Sequence, residues 1–199
     1  MKVSIADYGA GNVRSLCAAL ERAGAEPEVT RDPEQVRGAS LAVVAGVGHL
    51  ASAVRGLQET GVADALCERA AASRPLLGIC VGMQLLFEES DEGGRGLGLL
   101  RGPVRRIDAR RVPHMGWNAL RVRDGSCVLA GLDEADVYFA HSYACRPTEP
   151  VTVAETNHGA SIVAAVEREA LAGVQFHPER SGPAGARVLR NALAWSRSA

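Results

Sequence analysis

One cysteine of this chain stands between two glycines. In the stretch GICVGMQLLF, Gly78 to Phe87, Cys80 is the centre of a G-x-C-x-G pattern, where an apolar run turns amphipathic. The related form G-x-S-x-G marks a nucleophile elbow, a strand that turns sharply into a helix. Such a turn strains the backbone at the nucleophile, and side chains two residues to either side would collide; glycine has none. A thiol placed there meets the unpaired N–H groups and positive end of a helix, which favour the attacking thiolate. The N–H of Val81 would point to where an oxyanion forms. The ordinary role of a lone cysteine is a small buried hydrophobe. That reading fits Cys17, Cys67, Cys127 and Cys145, none of which has a glycine two residues away on both sides.

A cysteine nucleophile needs a base. In VQFHPERS, His177 is followed two residues later by Glu179. Extended backbone would place both side chains on one side, and Pro178 favours extension before it. The carboxylate could then orient the imidazole and stabilise its cation. His49, His114, His141 and His158 have no carboxylate at that spacing, so their default reading is surface or structural. A second oxyanion donor should come from another strand end. The stretch AGVG, Ala45 to Gly48, is the best candidate, because Gly46 and Gly48 let the Val47 peptide take either orientation.

These groups must be held by the ends of several strands. Val3 to Ala6 reads as a first buried strand. The helix after it carries Val13, Leu16, Cys17 and Leu20 on one face, is capped by Asn12 and is stopped by Gly24. Glu28 to Thr30, SLAVVAGVG and RPLLGIC read as further strands, with a helix near Val62 to Ala72. Apolar strands alternating with helices predict a mostly parallel sheet covered on both faces. After the glycine-rich loop EESDEGGRGLGLL come closely spaced strand-like runs at Val104–Ile107, Ala119–Val122, Val137–Ala140, Val151–Glu155 and Ser161–Glu167. This half is expected to be antiparallel in part. LAGVQFHPE reads as the last strand, and Ala184 to Arg197 as a closing helix with Val188, Leu189, Ala192 and Leu193 inward. No repeat or linker interrupts the 199 residues, and the expectation is one domain.

Composition narrows the function. The formal net charge is -1, without the basic surplus of a nucleic-acid binder. No stretch approaches the roughly 20 apolar residues of a spanning helix. The start, MKVSIADYGAGN, lacks a signal peptide's apolar core, so a soluble cytoplasmic protein is expected. The five dispersed cysteines have no C-x-x-C spacing, which argues against a metal or dithiol site. Two stretches resemble nucleotide loops without completing one. GAGNVR has Arg14 where the dinucleotide fingerprint needs glycine, and GGRGLG lacks the lysine of a phosphate loop. No cofactor and no metal are expected.

G-x-C-x-G-x-Q followed by a late H-P-E resembles the class I, triad-type glutamine amidotransferases. DYGAGNVRS at Asp7, GVGH at Gly46, PHMGWN at Pro113 and YFAHSY at Tyr138 narrow the likeness to the glutaminase subunits of imidazole glycerol phosphate synthases, over nearly the whole chain. The resemblance implies a flavodoxin-like α/β fold with a smaller, partly antiparallel sheet. It implies that Cys80 attacks the glutamine amide, with His177 and Glu179 completing a triad and Val47 and Val81 forming the oxyanion hole. It maps glutamine binding onto Gly46, Gly48, Gln84, Glu92, His141, Ser142 and Tyr143, with His141 acting through backbone and packing. It implies a partner, a (βα)8-barrel cyclase subunit in a heterodimer, docked around Asn12, Trp117 and Tyr138. The family commonly has proline before G-V-G, and Ala45 stands here, which predicts a higher basal glutaminase rate than in an Ala45→Pro variant. The alternative readings are a glutaminase serving another synthase, such as that for pyridoxal phosphate, a non-catalytic binding module and a cysteine peptidase.

Overall fold

The computed structural model describes residues 1–9 and 13–198. The first half alternates strand and helix: β1 (Lys2–Ala6), α1 (Val13–Arg22), β2 (Glu26–Thr30), α2 (Pro33–Gly38), β3 (Leu41–Gly46), α3 (Leu50–Glu59), α4 (Val62–Ala71), β4 (Leu76–Cys80) and α5 (Val81–Leu85). Mostly strands follow: β5 (Glu89–Ser90), β6 (Pro103–Arg106), β7 (His114–Ala119), β8 (Arg121–Val122), β9 (Asp136–His141), β10 (Tyr143–Cys145), β11 (Thr152–Asn157), β12 (Ser161–Arg168) and β13 (Leu171–Val174). A 3-10 turn, Pro178–Arg180, and α6 (Gly182–Trp195) close the described chain.

The main sheet has eight strands in the order β2-β1-β3-β4-β13-β12-β11-β8. It is parallel from β2 to β13 and antiparallel beyond. The expected antiparallel character of the second half is therefore partly an extension of the parallel sheet. The remaining strands make two small sheets, β10-β6-β5 and β7-β9. β3 and β4 are buried at every position, as continuous apolar runs in the middle of a covered sheet require. β2 keeps Glu26 and Glu28 exposed, which suits an edge strand.

α1 buries Leu16, Ala19 and Leu20, while α6 buries Val188, Leu189, Ala192 and Leu193 and leaves Arg187 and Arg190 outside. The sequence reading did not foresee α2 and α3. α3 contains Gly56, a residue that ordinarily weakens a helix. Here it is needed, because a Cβ at that position would lie 2.5 Å from the Tyr8 carbonyl oxygen. The Asn12 cap lies outside the described residues.

One buried cation braces the strands that matter most. Arg69, on α4, donates to the carbonyls of Val36, Arg37, Ala39 and Pro75. Ala39 lies two residues before β3 and Pro75 one before β4, so one guanidinium ties together the entries to both. Burial lowers its pKa to about 10, and the four carbonyls offset part of the cost of burying that charge.

Candidate active site

In a parallel sheet the carboxyl ends of adjacent strands fall on one edge, where ligands bind. β3 ends at Gly46 and β4 at Cys80, and these two residues are register partners. β13 runs beside β4 with Val174 opposite Ile79, so the chain leaving β13 passes Cys80. Three separate segments thus meet where the sequence placed a nucleophile, an oxyanion loop and a base.

The elbow is present. Cys80 has φ +56 and ψ −110, a left-handed backbone that a non-glycine residue adopts only when its surroundings dictate it. The flanking glycines supply that force. A Cβ on Gly78 would lie 2.5 Å from the Gly82 carbonyl oxygen, and a Cβ on Gly82 would overlap the Val44 carbonyl. Cys80 is the N-cap of α5, and its residue exposure is 3%. α5 has only five residues, so the first-turn N–H groups matter more here than a long helix dipole.

His177 and Glu179 meet, by a different route from the one expected. β13 ends at Val174, so strand alternation does not carry the pair. The 3-10 turn Pro178–Arg180 brings Glu179 Oε1 to 2.9 Å from His177 Nδ1. The His177 main chain is fixed as well. Its N–H donates to the Tyr138 carbonyl, and its carbonyl accepts from the Ser181 hydroxyl. Burial pulls the imidazole pKa down, but Cys80 and Glu179 outweigh it and raise the value to about 10. No hydrogen bond reaches His177 Nε2. The charge of the nearby Cys80 nevertheless helps to hold the proton on this imidazole.

A cavity of about 410 Å³ opens beside the sulfur. Val47, Gly48, Cys80, Val81, Gln84, Glu92, His141, Ser142 and Tyr143 all line it. Gly46 does not; it lines a smaller pocket with Val47, His177 and Glu179. Any Cβ at Gly46 would overlap the Tyr8 hydroxyl. Glu92 faces the cavity with both oxygens engaged. Oε1 is 3.0 Å from His49 Nδ1, and Oε2 accepts from the Leu50 N–H at the start of α3. A substrate ammonium would therefore share this carboxylate with the chain's own donors.

Four residues contact the site that sequence reasoning passed over. Tyr8 is buried beneath Gly46, its phenol pKa raised by burial and by the nearby Cys80 and Asp7 charges. His114 Nδ1 lies 3.0 Å from His141 Nε2, and His49 pairs with Glu92. Gln175 Nε2 donates to the Cys80 sulfur at 3.7 Å. Of these, only Gln175 announces itself in sequence, as a polar residue inside the apolar run LAGVQF. The others depend on register between distant strands.

Trp117 and Tyr138 are register partners on β7 and β9, with ring centroids 6.1 Å apart. Trp117 is 57% exposed and its neighbour Met115 64% exposed. Arg180 lies over the Tyr138 ring, 4.7 Å from its centroid. This aromatic face thus joins directly onto the turn that carries His177.

Comparison with known proteins agrees with this geometry. The family described as glutamine amidotransferase class-I matches residues 4–195. The imidazole glycerol phosphate synthase subunit HisH of Rhodospirillum rubrum is 47% identical, covering 98% of this chain and 100% of that one. The subunit of the same name from Corynebacterium diphtheriae is 43% identical over 96% of this chain and 97% of its own. An imidazole glycerol phosphate synthase hisHF, chloroplastic, of Arabidopsis thaliana is 43% identical over 96% of this chain, which spans 34% of that longer protein. A solved structure described as a glutamine amidotransferase superposes with TM-score 0.80 at 23% identity, covering 98% of each chain, a likeness of fold.

Proposed function

The chain belongs to the class-I glutamine amidotransferase family, and within it to the HisH subunits of imidazole glycerol phosphate synthase; on that premise we propose which residues carry the reaction. It is an enzyme subunit of histidine biosynthesis that releases ammonia from glutamine for a partner subunit. A glutaminase serving pyridoxal phosphate synthase is not favoured.

Glutamine lies in the cavity lined by Gln84, Glu92, His141, Ser142 and Tyr143, beside Gly46 and Gly48. The Cys80 sulfur attacks the side-chain amide carbon. The Val81 N–H, with the Val47 N–H once that peptide is suitably turned, takes the negative charge that develops on oxygen. His177 carries its proton at neutral pH, since Cys80 and Glu179 raise it to about 10. It gives that proton to the leaving nitrogen, and ammonia departs as a glutamyl thioester forms. Thioester formation removes the sulfur's charge, one of the supports for the imidazolium. The imidazole is then better able to accept a proton from water, which attacks the thioester and releases glutamate. Glutamine and water become glutamate and ammonia, with the sulfur returned.

Residues 1–199 act as one domain in the cytoplasm, paired with a (βα)8-barrel cyclase in a heterodimer. Trp117 and Tyr138 belong to the docking face together with Asn12. The barrel uses the ammonia to form imidazole glycerol phosphate and an aminoimidazole carboxamide ribotide. The observation that carries this reading is the left-handed backbone of Cys80, wedged between glycines with the His177–Glu179 pair beside it. Glutamate release, measured with and without the cyclase and its substrate, should rise sharply on their addition and vanish in Cys80→Ala. Release that persists in Cys80→Ala would refute the assignment.

A further inference from the structure

We propose that Gln175 is a donor dedicated to the Cys80 sulfur, and that Gln84, through its NH2 group, is the positioning residue that fixes the Gln175 amide. This deepens the reading of Cys80 as nucleophile and rests on it.

The argument starts from one backbone carbonyl. The oxygen of Tyr143 can only accept hydrogen bonds. It receives one from His141 Nδ1 at 2.8 Å and one from Gln84 Nε2 at 3.1 Å. The Gln84 amide must therefore turn its NH2 group toward Tyr143. The second N–H of that group reaches Gln175 Oε1 at 3.1 Å. Gln175 in turn must present its carbonyl to Gln84, which leaves its own NH2 facing Cys80 Sγ. Each amide orientation follows from the one before, and both glutamines are buried. An N–H aimed at sulfur from a buried side chain stabilises negative charge there more than it would in water.

The same logic runs outward from Tyr143. His141 uses Nδ1 as donor, so its Nε2 accepts from His114 Nδ1. His114 Nε2 then accepts from Asn118 Nδ2 at 3.3 Å. Both imidazoles stay neutral, since burial lowers His141 to about 3 and His114 to about 4. Asn118 is next to Trp117 on β7. A hydrogen-bond network therefore joins that strand to the nucleophile, through side chains from β7, β9, α5 and the segment after β13, with the Tyr143 carbonyl accepting from both sides and the Gln84 NH2 donating to both. Gln84 spends both its N–H groups within this network, which leaves its Oε1 as the atom it can offer to a substrate in the cavity it lines.

The test uses Gln175→Met and Gln84→Met in the full chain, with wild type beside them, at one neutral pH. Cys80 alkylation by iodoacetamide should slow about tenfold in Gln175→Met and less, in the same direction, in Gln84→Met. A glutamine that merely packs would loosen the site when replaced and make the buried sulfur react faster, so the sign separates the two roles. With the cyclase partner present, kcat for glutamate release should fall in Gln175→Met while KM stays within about twofold, as expected when transition-state interactions are lost. In wild type, the Gln175 side-chain amide signal in a ¹H–¹⁵N spectrum should move when Cys80 is alkylated, a readout that needs no variant to fold. Alkylation as fast as wild type in a folded Gln175→Met, or an unmoved Gln175 signal, overturns the proposal. Cys80 alkylation at the wild-type rate in a folded Gln84→Met overturns the positioning role given to Gln84. Absence of Cys80 alkylation in wild type would instead refute the nucleophile itself.

Discussion

The two peptides that face the reacting carbon are built in opposite ways. On the elbow side, Gly78 and Gly82 are pressed so closely by backbone that neither tolerates a methyl group, and Cys80 is left with no other conformation. On the facing loop only Gly46 is packed, against Tyr8. Val47 is 48% exposed, and Gly48, with φ +102, has nothing among the described residues within 4 Å of where a Cβ would stand. The proposed nucleophile is thus set by sterics when the chain folds, while the peptide proposed as second oxyanion donor is held from one side. A site divided this way can keep its sulfur ready and leave its oxyanion hole to be completed by whatever binds at the loop.

The strongest test of the rigid half is Gly82→Ala. A Cβ there would overlap the Val44 carbonyl in the middle of the main sheet, so either β3 or the elbow must move. The expected loss is at least about 3 kcal/mol of stability, at the upper end for overpacking, with glutamate release abolished. Denaturant unfolding measures the first and a glutaminase assay with the partner the second. A loss below about 1 kcal/mol would mean that the elbow adapts, and the contrast with the loop would disappear.

The same contrast explains what could be read without coordinates. The elbow is local: G-x-C-x-G specifies its conformation within five residues, and H-x-E keeps its partners two apart. The covered parallel strands were legible because continuous burial leaves continuous apolar runs, as in Leu41–Gly46 and Leu76–Cys80. α2 and α3 were not. α2 is six residues long and opens on Pro33, while α3 carries Gly56 for the sake of Tyr8, a residue 48 positions away. The His177–Glu179 pair was named for the wrong geometry, because periodicity cannot show that a strand stops at Val174 and a 3-10 turn takes over. The His114–His141 contact, 27 residues apart, exists only through the register of β7 with β9.

A second test separates the charge held by the rigid half from its shape. Cys80 and Glu179 raise His177 to about 10 against an ordinary value of 6.5. A raised value means that the folded state holds the proton more tightly than the unfolded chain. The resulting stabilisation is fully present below pH 6.5 and fades as pH climbs through about 10. Wild type should therefore exceed His177→Gln in Tm by several degrees at pH 6 to 7, at about 2–4 °C per kcal/mol for a chain of this size, and the gap should close toward pH 10. A gap independent of pH would show that packing, and not charge, accounts for the contribution of His177.

The loop should respond more weakly. Gly48→Ala meets open space, so its cost is the positive φ alone, about 1–2 kcal/mol. Because the loop is held from one side, part of that cost can be relieved by a change at the Val47 peptide. The basal glutaminase rate should then change several-fold while Cys80 alkylation stays at the wild-type rate. Equal shifts in both measurements would mean that loop and elbow move together, which breaks the division drawn between them.

The smallest expected effect lies at the base of the loop and bears most directly on its freedom. β1 pairs with β3 only as far as Val44, so Ala45 lies beyond that ladder and retains only β4 as a paired neighbour, through Ile79. A proline at position 45 would fix one backbone dihedral just before Gly46 without entering the fully paired part of the sheet. Where the native backbone already suits proline, such a change stabilises by about 0.4–1 kcal/mol, chiefly by restricting competing conformations. If those competing conformations include the arrangement that completes the oxyanion hole without a partner, Ala45→Pro lowers basal glutamine hydrolysis by about two- to fivefold. The rate with cyclase and its substrate bound should change less, since binding then selects the loop conformation. Equal basal rates for Ala45→Pro and wild type, in protein freed of cyclase, would place the control of the loop after Gly46 and leave Gly48 as its hinge.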